Sequence, residues 1–159
     1  MSWVLVGGAV LAGLLGAAFF CGCETGLYCV NRLRVQLGVQ EHDPRLLRLS
    51  SLLEDEQGAL SVTLIGTNLM EYVATTAVAF LFAELLSMSG ADTELYTVLL
   101  VTPVVFVFCE VVPKNLFQLH ADGLMAQGSW LLTLADRVFR ATGVVWLLTK
   151  LSGAARRTN

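Results

Sequence analysis

From Trp3 to Cys23 the chain carries no charged side chain, and apolar or small residues fill every position. A run of that length matches the ~20 residues an α-helix needs to cross a bilayer. Hydrocarbon offers a peptide group no hydrogen-bond partner, so a segment entering it must satisfy its own backbone, and a helix does so within itself. The whole composition agrees, with 55% hydrophobic and 14% charged residues and a mean hydropathy of +0.68. These values lie far from those of a water-soluble globule. A cleaved signal peptide would call for Lys or Arg ahead of the apolar run and small residues before a cleavage point. Neither is found, and bulky Phe20 before Cys21 argues against a lipoprotein site, so the stretch is expected to stay as a helix.

Three spans are expected, at about residues 3–30, 59–86 and 95–119. Gly8, Gly13, Gly16, Gly22 and Gly26 give the first span small-xxx-small spacing, as in Ala9/Gly13 and Gly22/Gly26, which favours close helix packing. Pro103 and Pro113 interrupt the third span and free backbone carbonyls that need partners. Between the first two spans, residues 31–57 are charged and amphipathic. Asp43 followed by Pro44 predicts an N-cap with proline in the first turn, and Leu46, Leu49 and Leu53 follow at helical spacing. A helical hairpin at the cytoplasmic surface fits this segment.

The tail, residues 122–157, is broken by Asp136, Arg137 and Arg140, and its apolar run between Arg140 and Lys150 is too short to cross. Trp130, Leu131, Leu134, Val138, Trp146, Leu147 and Leu151 fit an amphipathic helix lying in the membrane interface. The fold class is therefore all-α and integral to the membrane: three transmembrane helices, a cytoplasmic helical hairpin after the first, and a C-terminal interfacial helix. One domain over residues 1–159 accommodates this. The small residues of the first span and the interfacial tail supply two surfaces for subunit contact, so a dimer is expected.

Three carboxylates stand inside these apolar stretches: Glu24, Glu71 and Glu110. Charge in lipid is costly enough that such residues face a bundle interior, where they mark ion or proton paths. Cys21 and Glu24 lie about two to three turns from Arg32, Thr67 and Asn68 about as far from Gly58, and Glu110 about one turn from Lys114. Glu71 follows Thr67 at i+4 and shares its face. Polar groups from three spans thus converge on one half of the membrane. Glu84 sits near a span end and reaches water, while His42 and His120 fall in solvated segments. Cys21, Cys23, Cys29 and Cys109 lie in or beside apolar stretches and do not form an extracellular disulfide framework. No HExxH, P-loop or GxSxG motif is present, and CGC lacks the spacing of a CxxC redox pair, so the chain reads as a non-enzyme without nucleic-acid partners.

At these residues the chain resembles a known family. AFFCGCETGLYCVNRLRV is similar to the FFSGSETAL…NR motif that opens the transmembrane domain of the CNNM (cyclin M)/CorC magnesium and cobalt transporter (hemolysin-like) family; LIGTNL resembles its LIGNNL, and FCEVVPKNL its GEVLPK. The resemblance implies a homodimer of three-span subunits, or a heterodimer with a more typical member, in the inner or plasma membrane. It implies a divalent cation, magnesium in the family, bound in a cavity open to the cytoplasm. Carried over by position, the metal residues are Cys21, Cys23, Glu24, Thr67, Asn68, Glu71, Cys109 and Glu110, with Pro113 and Lys114 as structural motif residues. Glu24, Pro113 and Lys114 match directly, whereas cysteines replace the family serines and the glycine before Glu110. Thr67 and Glu71 replace asparagines. Magnesium wants hard oxygen ligands, so three thiols beside three carboxylates suit zinc or manganese at least as well. The family's cytoplasmic CBS pair is not expected from this sequence. The alternative function is a divergent partner subunit or scaffold that does not transport.

Every Lys and Arg lies after the first span or at or beyond the end of the third, and SMSGADTEL between the second and third has none. The positive-inside rule then places the N-terminus outside and the C-terminus in the cytoplasm. A reporter fused after Asn159 should be cytoplasmic, and a cysteine at Gly90 should label from outside in intact cells. The reverse pattern would overturn this orientation.

Overall fold

The computed structural model describes residues 3–85, 95, 98–99 and 102–142. The acidic loop around Gly90 and the tail residues Trp146, Leu147 and Leu151 lie outside that set. The described residues form helices joined by short turns: α1 (Trp3–Cys29), α2 (Arg32–Gln40), α3 (Pro44–Glu54), α4 (Glu56–Leu85), α5 (Thr102–Val105), a π-helical segment (Phe106–Val111), α6 (Val112–Leu119) and α7 (Ala121–Ala141). Among them, α1 and α4 are long and apolar enough to cross a membrane. At ~1.5 Å per residue their 27 and 30 residues reach about 40 and 45 Å, more than the ~30 Å hydrocarbon core.

α1 is the post against which the other long elements lean, and its glycines set how near they come. A Cβ on Gly13 would lie 2.8 Å from the backbone nitrogen of Ala74 in α4, and one on Gly16 2.8 Å from the Met70 side chain. Lower down, the ring of Phe117 in α6 covers Gly22, and Met125 of α7 comes within 2.5 Å of where a Gly26 Cβ would stand. Small residues promote helix association in lipid by allowing this dispersion-rich contact. These contacts join α1 to α4, α6 and α7 of the same chain. Only Gly7 and Gly8, near the start of α1, have open space around the missing side chain among the described glycines of that helix.

The segment after α1 folds as the expected hairpin. Asn31 caps α2, its side chain accepting from the N–H groups of Leu33 and Arg34 at 3.0 and 3.3 Å. Asp43 caps α3 through the Arg45 N–H at 2.8 Å, with Pro44 in the first turn where its missing N–H costs nothing. The turn between them places His42 at φ 59°. Leu49 and Leu52 are buried against the bundle, with Leu46 and Leu53 packed beside them.

The third helical run shows how the chain handles a proline. Pro113 lacks an N–H, so the carbonyl one turn earlier, Cys109, loses its partner. The helix widens just before it, and the Val112 N–H bonds to the Val107 carbonyl five residues back. Such local π winding re-satisfies backbone groups that a proline frees within a membrane. α7 then turns Met125, Ser129, Leu132 and Ala135 inward while Trp130, Leu134 and Val138 stand exposed on another side. The buried Ser129 hydroxyl donates to the Ala126 carbonyl at 2.9 Å and lies 3.3 Å from the Arg45 carbonyl of α3, tying the two helices.

The seat of Phe117 gives a direct test. Gly22→Val should destabilise the detergent-solubilised protein by about 1–3 kcal/mol through overpacking. Gly22→Val with Phe117→Ala should cost less than the sum of the two single changes, read from thermal unfolding of all four proteins. Strict additivity would mean the ring does not rest on that glycine.

Candidate functional site

α1 packs against both α4 and the π segment, and each of the three carries thiol or carboxyl side chains in this region. α1 contributes Cys21, buried, and Glu24, half-buried; α4 contributes Glu71; the π segment contributes Cys109, buried, and Glu110, half-buried. Lys114, one turn into α6, completes the set. Lys114, Glu110, Glu24 and Glu71 are all near enough to Cys21 to act on its charge state. Glu110 and Lys114 act on Glu71 in the same way, and Glu71 and Glu110 on Cys109. Lys114 closes no ion pair among the described residues.

Two details define the chemistry of this set. One carboxylate oxygen of Glu71, Oε1, is shut away from solvent and has no hydrogen-bond partner. A buried acceptor left without a donor is expensive. The Cys109 thiol, by contrast, is engaged: it donates to the Leu14 carbonyl of α1 at 3.4 Å and sits in a small apolar cluster with Ala17 and Val105. The thiol thus serves packing.

The remaining sequence candidates go elsewhere. Cys23, fully buried, belongs to the main apolar core with Phe20, Leu27, Phe117 and Met125. Residues two apart on a helix point about 200° away from each other, so Cys21 and Cys23 do not converge on one point. Thr67 is half-buried and its hydroxyl donates to the Thr63 carbonyl at 3.0 Å. Asn68 is exposed on the outer side of α4 with Leu64 and Tyr72, its amide donating to the Leu64 carbonyl at 2.8 Å. Pro113 is buried at the end of the widened turn. Among the described residues, no three His, Cys, Asp or Glu side chains are grouped closely enough to hold a metal ion.

Ion pairs that the sequence did not reveal fasten the layer of short helices. Asp122 at the start of α7 accepts from the Asn31 N–H at 2.9 Å and pairs with Arg34 at 2.9 Å. Arg32 reaches Glu56 at 2.6 Å. Arg140 joins Asp136, one turn back on α7, to Asp55 at the start of α4, where Asp55 also accepts the Gly58 N–H at 3.1 Å. Partners separated by 85 or 91 residues leave no local signal in a sequence.

A helical membrane domain with a mixed acidic and thiol cluster between its long helices is the class that fold and site define. Residues 8–158 match the family described as the cyclin M transmembrane N-terminal domain. The chain belongs to that family. It is 29% identical over 136 residues to the UPF0053 inner membrane protein YfjD of Escherichia coli, covering 86% of this chain and 31% of that protein. It is 31% identical over 135 residues to a UPF0053 protein of Haemophilus influenzae, covering 85% and 31% respectively. The chain thus spans about a third of the length of these relatives.

The Asp55–Arg140 contact yields a pH test. The hydrogen bond from Arg140 holds the Asp55 carboxyl below its ordinary range, opposed by partial burial and assisted by the Gly58 N–H. A depressed folded-state pKa stabilises above the unfolded value of about 3.9, and the gain is lost as pH falls through the lower folded value. The pair is exposed, so its contribution is about 0–1 kcal/mol. Asp55→Asn should lower Tm slightly at neutral pH, and the gap to the parent should close below about pH 4. A gap independent of pH would mean the carboxylate charge is not what Arg140 recognises.

Proposed function

We propose that this chain is the membrane domain of a divalent-cation transport protein and that the cation, its substrate, passes through the cluster of Glu24, Glu71 and Glu110. In this reading α1, α4 and the run ending at Leu119 cross the bilayer, α2 and α3 lie on the cytoplasmic side, and α7 lies in the interface. The observation that carries it is Glu71 Oε1, a carboxylate oxygen buried between apolar helices without a donor and close to a second carboxylate. Structural carboxylates in lipid find partners, and one left waiting is what a cation-binding step requires. Lys114 offsets part of the negative charge while the cation is away. Glu110 is carried on the widened turn, a winding that recurs at functional sites.

The donor set bears on which cation. One or two of these carboxylates at a time would suit magnesium, which keeps several of its waters. Cys21 beside them adds a softer donor, so manganese or zinc should compete well. A second reading, a partner subunit that does not transport, draws support from the absence of a preassembled three-ligand group among the described residues and from the Cys109 thiol being spent on Leu14.

Metal binding in nanodiscs and flux into proteoliposomes separate the two. The parent protein should bind a divalent cation. Glu71→Gln or Glu110→Gln, which keep volume and remove charge, should weaken that binding by at least about tenfold, or ~1.4 kcal/mol. Neither change should lower stability by a comparable amount. Cys21→Ser should shift preference from zinc toward magnesium. Binding that is unchanged in both glutamine variants, or no binding in the parent, would leave the non-transporting reading.

A further inference from the structure

A cavity of about 390 Å³ opens between α3 and α7, well away from the carboxylate cluster. Its polar lining is Arg48 and Ser51 from α3 with Thr133, Asp136 and Arg137 from α7, and Leu47 forms part of its apolar wall. The size lies within the ~300–1,000 Å³ range of small-ligand sites. Among the described residues neither Arg48 nor Arg137 makes an ion pair, whereas Arg32, Arg34 and Arg140 all do. Arg48 Nε is shut away from solvent and has no acceptor. The one carboxylate in the lining, Asp136, takes Arg140 Nε on both oxygens at 2.8 Å, so its charge is already matched. Besides the matched Asp136, the cavity is lined by two guanidinium groups without an ion pair among the described residues, the Ser51 hydroxyl, and the Thr133 hydroxyl, which donates to the Ser129 carbonyl at 2.7 Å.

We infer that this cavity binds the phosphate of an anionic glycerophospholipid, clamped between Arg48 and Arg137. Guanidinium donors match phosphate oxygens in pairs, and an Nε–H without an acceptor is supplied with one by such a ligand. The surroundings favour a lipid over a free phosphate. On α7, Trp130, Leu134 and Val138 stand exposed at successive i+4 positions, and the cavity residues Thr133 and Arg137 each immediately precede one of the latter two. Leu47, also exposed, flanks the other side. A headgroup seated on the arginines would leave its acyl chains along that apolar stripe, with the tryptophan ring at headgroup level where indoles settle. Basic pockets between helices at a cytoplasmic face hold anionic headgroups by the same physics.

The test uses the full chain extracted from nanodiscs of mixed phosphatidylglycerol and phosphatidylcholine, with retained lipid read by native mass spectrometry. The parent should retain phosphatidylglycerol in preference to phosphatidylcholine. Arg137→Gln and the double variant with Arg48→Gln should lose that preference by about tenfold. Arg45→Gln, an equal loss of charge elsewhere on α3, should keep it. Arg137 is exposed, so that variant alone decides the matter if Arg48→Gln fails to fold. A second arm measures thermal shift of delipidated protein: phosphatidylglycerol should raise Tm in the parent and not in Arg137→Gln, and millimolar inorganic phosphate should do neither. No lipid preference in the parent, equal loss in Arg45→Gln, or a shift fully reproduced by inorganic phosphate would each overturn the proposal.

Discussion

The bundle depends on how near α1 lets its neighbours come. With side chains larger than hydrogen at Gly13, Gly22 and Gly26, the Ala74 backbone, the Phe117 ring and Met125 would each be pushed outward. In hydrocarbon the hydrophobic effect does not drive helix against helix, because lipid tails are as apolar as leucine. Close dispersion contact is the force that remains, and it falls steeply with small gaps. The placement of every polar group in the membrane layer follows from that spacing. Cys109 meets the Leu14 carbonyl only because the π segment is drawn tightly against α1.

Most of the architecture was legible in the sequence because lipid permits so few solutions. An apolar run from Trp3 onward had to be a helix, and Asp43-Pro44 marked the start of α3 by the chemistry of its cap. The second span, expected from about residue 59, begins a few residues earlier, at Glu56, since the Asp55 cap supplies the first turn with a partner. What the glycines touch was not legible. Spacing announces close packing but not the identity of the partner, and the partners proved to be α4, α6 and α7 of the same chain. The π winding likewise could be anticipated only as a carbonyl problem at Pro113, not as its solution.

The candidate site was legible in kind more than in membership. Helical geometry alone separates Cys21 from Cys23 and Thr67 from Asn68, since neighbours at i+1 or i+2 cannot share a face. Of the three acids, Glu71 keeps one oxygen shut away from solvent without a donor, which fits the cost of a carboxylate in lipid. The arginines at the foot of the bundle carried no motif at all. Arg48 and Arg137 become noticeable only when it is seen which other arginines are already spoken for.

The π segment has a mechanical meaning beyond relieving a proline. A turn wound wider than its neighbours holds a surplus residue, and each residue of an α-helix accounts for about 100° of rotation. Were that surplus to migrate along the rod toward Thr102, the stretch it traversed, Glu110 included, would swivel through a large angle while α6 stayed anchored by Phe117. In such a shift Glu110 would turn with the widened stretch, while the ring seated on Gly22 would keep α6 in place.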